Sequence, residues 1–190
     1  SHLTKTRFAG NPVRRVTPSQ ADDTTTCSTL DPDRFTLLIT GGSQGAESIN
    51  SAMVNALETM KNARKLNVIH QTGSRDESRI KKAYQSLDAR ACVSAFFNQM
   101  PLLQQRADLI IARAGAGTLS ELSIAGKPAV LIPFPYAADD HQTCNARAFS
   151  DQGAAVLIPD QDLTTGILAD TLDRLIDNEQ ERDRMGTAMK

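Results

Sequence analysis

Beyond Arg34 the chain alternates short apolar runs with longer mixed segments. The runs occupy residues 36–40, 67–71, 91–95, 107–112, 129–133 and 155–159. Each is strand-length, and each interval is long enough for a helix, so the pattern predicts an α/β domain built on a parallel sheet. The clearest helix follows the first run: Ile49, Ala52, Met53, Ala56, Leu57 and Met60 recur at i, i+3, i+4, i+7, i+8 and i+11, a stripe that packs one face on the sheet. Further helices are expected over about 77–87, 118–125, 141–152 and 163–176, with Gly126 and Gly153 where C-terminal caps belong. Residues 17–34 are rich in Thr, Ser, Asp and Pro and read as a solvated loop. The last stretch, 179–190, looks helical and stops without a cap, as the start of a longer helix would.

Composition narrows the function classes. The 190 residues carry a formal net charge of −1, from 21 Lys+Arg against 22 Asp+Glu. There is no polybasic field for nucleic acid or an anionic membrane, and a polyanion has to be held locally. Cys27, Cys92 and Cys144 are three and far apart, so neither a disulfide framework nor a zinc site is expected, and a reducing cytoplasm is the natural compartment. No run is long enough to span a bilayer; the stretch 128–138 is interrupted by Pro128, Pro133 and Pro135. The opening Ser1-His2 lacks the features of a signal peptide and reads as an appended start, with His2 a cloning remnant.

In an open parallel sheet, ligands bind beyond the C-terminal strand ends. Three loops there are unusual. The first, TGGSQGA at 40–46, opens the strongest helix. Its glycines admit a ligand close to the backbone, helix amides favour an anion, and Ser43 adds a hydroxyl, so phosphate is the obvious guest. A tight turn with Ser43 as N-cap explains the same residues, and the two readings stand level. The stretch 41–45 also satisfies the G-x-S-x-G elbow of serine hydrolases, but here it ends the first strand, and Asp139, Asp140 and His141 are crowded together. The dinucleotide fingerprint lacks its acid, because the second strand ends at His70-Gln71, and no G-K-[ST] follows for a P-loop.

The second loop, RAGAGTLSEL at 113–122, repeats the design. Thr118 and Glu121 have capping-box spacing, which spacing alone favours; the sharper reading turns Glu121 toward a ribose diol. The third, PFPYAADDHQ at 133–142 followed by Asn145, is stiffened by proline and ends in groups suited to sugar hydroxyls or an amide. Capping by Asp139 or Asp140, with His141 and Gln142 solvated, is the plainer account. His70 reads as a strand-end polar residue. Gly10 to Arg15 form a turn with two cations, and Phe96-Phe97 offer a base either backbone or a flat face, or else alternate between core and surface.

These pieces, with GNPVR at 10–14, HQTG at 70–73, Phe96 and the F-x-x-M of Phe97 to Met100, GKPAVLIPFPYAADDHQTCNA at 126–146 and GAA at 153–155, resemble the C-terminal half of the MurG family. That family transfers N-acetylglucosamine from UDP-N-acetylglucosamine (UDP-GlcNAc) to a lipid-linked peptidoglycan precursor. The resemblance runs from Gly10 to about Ile158, and Ala9 replaces the usual Thr. It implies the C-terminal domain of a GT-B glycosyltransferase, a Rossmann-like parallel sheet with helices on both faces. Residues 1–34 would be a hinge segment and loop, 35–178 the UDP-GlcNAc domain, and 179–190 the start of a C-terminal helix.

By the same resemblance the donor contacts are Arg14 in the hinge motif, Ser43 and Gln44 at the phosphates, and the Phe97 backbone at uracil. Gly117 is a further donor-binding residue, Thr118 lies near the diphosphate, Glu121 at the ribose, and His141, Gln142 and Asn145 around the sugar. No metal or other cofactor is implied, and no Asp-x-Asp is present. The general base, the acceptor site and the membrane-facing patch belong to an N-terminal domain outside these residues, so this chain is expected to bind donor without completing transfer. The whole enzyme would sit on the cytoplasmic face of the bacterial inner membrane. The alternatives are another GT-B transferase, such as a galactolipid synthase using UDP-galactose, or a nucleotide-sugar-binding module without chemistry.

Overall fold

The computed structural model describes Cys27 and residues 30–190. Arg14, its 10–14 motif and most of the loop expected over 17–34 lie outside the described residues. Six strands form one parallel sheet: β1 (Phe35–Thr40), β2 (Leu66–Gln71), β3 (Ala91–Ser94), β4 (Leu109–Ala112), β5 (Ala129–Leu131) and β6 (Ala155–Leu157). Their order is β3-β2-β1-β4-β5-β6. After β3 the chain crosses to the far side of β1, so the order reverses between β1 and β4, where an open α/β sheet splits and a crevice forms. The register brings the strand ends level, pairing Thr40 with both Gln71 and Ala112, and Ala112 with Leu131.

The helices are α1 (Glu47–Thr59), α2 (Glu77–Ser86), α3 (Met100–Arg106), α4 (Ala116–Ala125), α5 (His141–Ser150), α6 (Thr165–Asp177) and α7 (Glu179–Met189). Alternation along β1 sends Leu37 and Ile39 into one core with Ile49 and Met53 of α1 and Leu168 and Leu172 of α6. Leu38 enters the opposite core with Leu103 of α3, Leu119 and Leu122 of α4 and Ala146 of α5. Helices thus cover both faces, as parallel strands require. The expected helices are present within a few residues at each end. Thr164 caps α6 by accepting from the Ile167 N–H at 3.2 Å, and Gly126, at φ +60°, closes α4. The sequence reading missed α3. It is seven residues long with Pro101 in its first turn, too short to show a full apolar period, and proline there starts a helix.

The cysteine expectation is corrected: Cys27 and Cys92 form a disulfide, with Cα atoms 5.4 Å apart and 65 residues between them in sequence. Spacing along the chain is blind to a pair that meets because β3 lies at the sheet edge, beside the segment before β1. Cysteine usage therefore no longer argues for a reducing compartment. Among the described residues, no helix is long and apolar enough to cross a membrane.

Thiol titration of the unreduced, denatured chain is expected to find only Cys144, the one free cysteine, and all three cysteines after reduction. Three reactive thiols before reduction would refute the bridge. A second test concerns Gly45, at φ +77°, where a Cβ would lie 1.9 Å from the Thr72 carbonyl oxygen. Gly45→Ala should lower stability in a urea melt by about 2–5 kcal/mol, strain and clash together. Gly42→Ala, at φ +86° with open space around it, should lower it by only about 1–2 kcal/mol.

Candidate functional site

The glycine-rich loop after β1 is shaped by its neighbours. Gly45 N–H bonds to Gly42 C=O at 3.2 Å, and Gly42 N–H to Thr40 Oγ1 at 3.2 Å. Gln71 at the end of β2 donates to Gly42 C=O (3.0 Å) and accepts the Phe97 N–H (2.9 Å). The turn after β2 presses on the same loop: a Cβ on Gly73 would lie 2.3 Å from the Gln44 carbonyl oxygen. Helix α1 then begins at Ala46 with no side-chain cap, so Ser43, expected as a possible N-cap, is exposed in the loop instead. A helix start without a side-chain cap can turn its amides to an anion.

Behind the loop runs a buried polar chain. Asn50 of α1 donates to the Thr72 carbonyl (3.0 Å) and to Asp76 Oδ2 (2.8 Å), which leaves its oxygen facing His70 Nε2 at 3.0 Å. Nε2 therefore carries the proton, and Nδ1 accepts from the Tyr84 hydroxyl at 2.7 Å. Burial pushes the His70 imidazole down to about 3 and the Tyr84 hydroxyl upward. The Arg79 hydrogen bond, with that of Asn50, holds the Asp76 carboxyl below its ordinary range. His70 is thus a neutral structural residue, as its strand-end position suggested, and more deeply buried than that position implied.

Two adjoining chambers open over the strand ends. The smaller, about 220 Å³, is lined by Gln71, Phe96, Phe97, Gln104 and Glu121. The larger, about 730 Å³, is lined by Gln44, Arg113, Phe134, Tyr136, Gln142 and Asp160. Gly42, Ser43 and Thr118 line both. The capping-box account of Thr118 and Glu121 fails, because α4 starts at Gly115 without a side-chain cap. Glu121 instead accepts from Gln104 Nε2 at 3.2 Å.

Of the other expected residues, Phe97 is 5% exposed and Phe96 is 45% exposed, so the pair does alternate between core and surface. Gln142 accepts the Phe134 N–H at 3.0 Å. Neither His141, Asn145 nor Gly117 lines either chamber. His141 Nδ1 bonds to the Ala138 carbonyl at 2.7 Å, and Asn145 donates to the Ala114 carbonyl at 3.1 Å, tying α5 to the loop before α4. Asp140 is the N-cap position of α5 but makes no side-chain cap bond.

Sequence reasoning assigned no role to Gln71, Gln104, Arg113 or Asp160. Gln71 lay inside the HQTG motif and Arg113 opened the motif at 113–122, so each was visible as a residue type but not as a role. Asp160 lies after β6 in no motif. Among the described residues, no three His, Cys, Asp or Glu side chains converge to hold a metal ion.

A six-stranded parallel sheet in this order, with a glycine-rich loop and two adjoining chambers at its switch point, defines a Rossmann-like domain, and its matches to known proteins make it the C-terminal domain of a GT-B glycosyltransferase. Residues 36–190 match the Glycosyltransferase family 28 C-terminal domain, and the chain belongs to that family. It is 39% identical over 195 residues to a protein of Syntrophotalea carbinolica (strain DSM 2380 / NBRC 103641 / GraBd1), covering 100% of this chain and 51% of that protein. It is 41% identical over 153 residues to a protein of Anaeromyxobacter sp. (strain K), covering 80% of this chain and 40% of that one. Both are named UDP-N-acetylglucosamine--N-acetylmuramyl-(pentapeptide) pyrophosphoryl-undecaprenol N-acetylglucosamine transferase. The solved structure of Acinetobacter baumannii MurG superposes with a TM-score of 0.75 at 33% identity, over 86% of this chain and 47% of that one. The chain spans about half the length of the curated relatives it matches.

The buried imidazole fixes a pH dependence. The folded value of about 3 lies below the unfolded value near 6.5. The unfolded chain therefore binds the proton first, and the stability that neutral His70 contributes is complete above about pH 6.5 and is lost as pH falls toward 3. Between pH 7.5 and pH 5 the loss should reach about 2 kcal/mol in urea melts. A His70→Gln variant should lack that slope; if it keeps the slope, His70 is not its source.

Proposed function

We propose that this chain is the donor-binding half of an inverting glycosyltransferase that moves N-acetylglucosamine from UDP-GlcNAc to undecaprenyl-diphospho-N-acetylmuramoyl-pentapeptide. The carrying observation is the linear order of the chambers. Glu121 stands at one end and Gln142 at the other, with Ser43 and Thr118 on the shared wall. Ribose, diphosphate and sugar follow one another in that order in a nucleotide sugar. Glu121 accepts from the ribose hydroxyls, Ser43 and Gln44 serve the phosphates with Gly117 and Thr118, and Gln142 meets the sugar. Phe97 donates its N–H to Gln71, so its contact with uracil is through the carbonyl. His141 and Asn145 hold the start of α5, which carries Gln142, against the loops before α5 and α4, and Arg14 contributes from the hinge segment.

In the reaction the C4 hydroxyl of the muramyl sugar attacks C1 of N-acetylglucosamine, its proton passes to a base outside this chain, and UDP departs with inversion. Negative charge grows on the diphosphate as the bond breaks. Amides at the starts of α1 and α4 stabilise that charge more in the transition state than in the bound donor. No metal ion is needed for this. The relatives' names support the donor and the acceptor, and the whole enzyme acts at the cytoplasmic face of the inner membrane.

Calorimetric titration in EDTA is expected to show UDP-GlcNAc binding in preference to UDP-galactose and NAD. Glu121→Ala should weaken it about 10- to 100-fold, the loss of hydrogen bonds to a charged acceptor. Unchanged affinity in the variant would move the ribose away from Glu121, and a folded wild-type chain that binds none of the three would overturn the reading.

A further inference from the structure

The loop between β5 and α5 runs past the end of its ladder and contains Pro133 and Pro135, neither of which has an N–H. Its backbone groups therefore depend on side chains from elsewhere. Arg113 supplies the donors: Nη1 reaches the carbonyls of Ile132 (3.1 Å) and Pro133 (2.9 Å) and Asp160 Oδ1 (2.5 Å). Its Nη2 bonds to Ser48 Oγ at 2.9 Å, and Ser48 in turn donates to Asp160 at 2.7 Å. The guanidinium lies 5.6 Å from the centre of the Phe134 ring. The side chains of Arg113 and Asp160 are 11% and 17% exposed.

One ion pair thus joins four parts of the chain: the first turn of α1, the loop after β4, the β5–α5 loop and the turn after β6. We propose that Arg113 and Asp160 are positioning residues for sugar selectivity. They fix the shape of the loop on which Gln142 holds Phe134, and through it decide which hexose the larger chamber accepts. This rests on the sugar-nucleotide reading above. Asp160 is the element that commits the cation to the loop. Without that charge, a largely buried guanidinium lacks its counterion and turns toward the nearest anion, the donor phosphates. The nucleotide end is built from Gln71, Gln104 and Glu121, none of which touches the clamp, so a defect in the clamp registers on the sugar and not on the uridine.

The test is calorimetric titration of the wild-type chain and Asp160→Asn with UDP, UDP-GlcNAc and UDP-galactose. Asparagine keeps the shape and one acceptor but removes the charge. The expected result is that preference for UDP-GlcNAc over UDP-galactose falls about tenfold while bare UDP binds as tightly as before or tighter. Arg113→Lys keeps the charge but loses the planar fork, and should lose selectivity in the same direction. If Asp160→Asn fails to fold, Ser48→Ala, which removes only the hydroxyl link, carries the same comparison. Unchanged selectivity in these variants overturns the inference alone. So does bare UDP weakening in step with the sugar nucleotides, because the clamp would then only hold the domain together. A wild-type chain that binds no UDP overturns the sugar-nucleotide reading and the inference with it.

Discussion

The contact between Gly45 and the Thr72 carbonyl sets the site. Backbone lies on backbone there, at a distance that leaves no room for a Cβ on either Gly45 or Gly73. The loop after β1 is thereby pressed against the turn after β2, and its shape follows from neighbouring main chain more than from its own hydrogen bonds. Asn50 makes the contact durable: it stands on α1, the helix that the loop opens, and bonds to the same Thr72 carbonyl. Loop, helix start and turn therefore move as one body. Because Nε2–H of the buried imidazole supports Asn50 from behind, and Nδ1 can accept from the Tyr84 hydroxyl only while the ring is neutral, the shape of the glycine loop depends on a side chain that does not line either chamber.

From that fixed point the strand order does the rest. β1 is central, with β2 on one side and β4 on the other, so the loops after β1 and β4 diverge across the crevice and each leads into a helix. Had the crossover after β3 returned to the same side, the two helix starts would not share a wall. Ser43 and Thr118 line both chambers because Thr40 and Ala112 are register partners at the ends of adjacent strands. The site is thus a consequence of topology first and of side-chain identity second.

This division explains what could be read from the chain. Strands and long helices were legible because apolar spacing reports burial, and the three loops because glycine and hydroxyl clusters after a strand are local features. Glu121 was visible as a residue type but not as a role, since its spacing from Thr118 fits a cap equally well. Only the helix start at Gly115 removes that reading. Gln71, Gln104 and Asp160 were illegible for a different reason. Each acts on a residue at least 17 positions away in sequence: Gln104 on Glu121, Gln71 on Gly42 and Phe97, Asp160 on Arg113. A pattern confined to one segment carries no trace of such a partner. The Cys27–Cys92 bridge was missed on the same ground.

The groove's charge is the last constraint. Among its described lining residues Arg113 is the one cation; it is paired with Asp160, and Glu47 lines the same chamber. A strongly positive pocket would bind any polyanion, and a domain with net charge near zero has little long-range field to add. On the sugar-nucleotide reading proposed above, attraction for the diphosphate then has to come from directed dipoles: the amides at the starts of α1 and α4, the glycine-loop backbone and hydroxyls such as Ser43. Directed dipoles act over a turn of helix, not over a Debye length, so they reward only a ligand whose phosphates lie at the shared wall. The chambers on either side supply the register that brings them there. Neutralising the cation is therefore consistent with anion binding, because it replaces general attraction with a requirement for position.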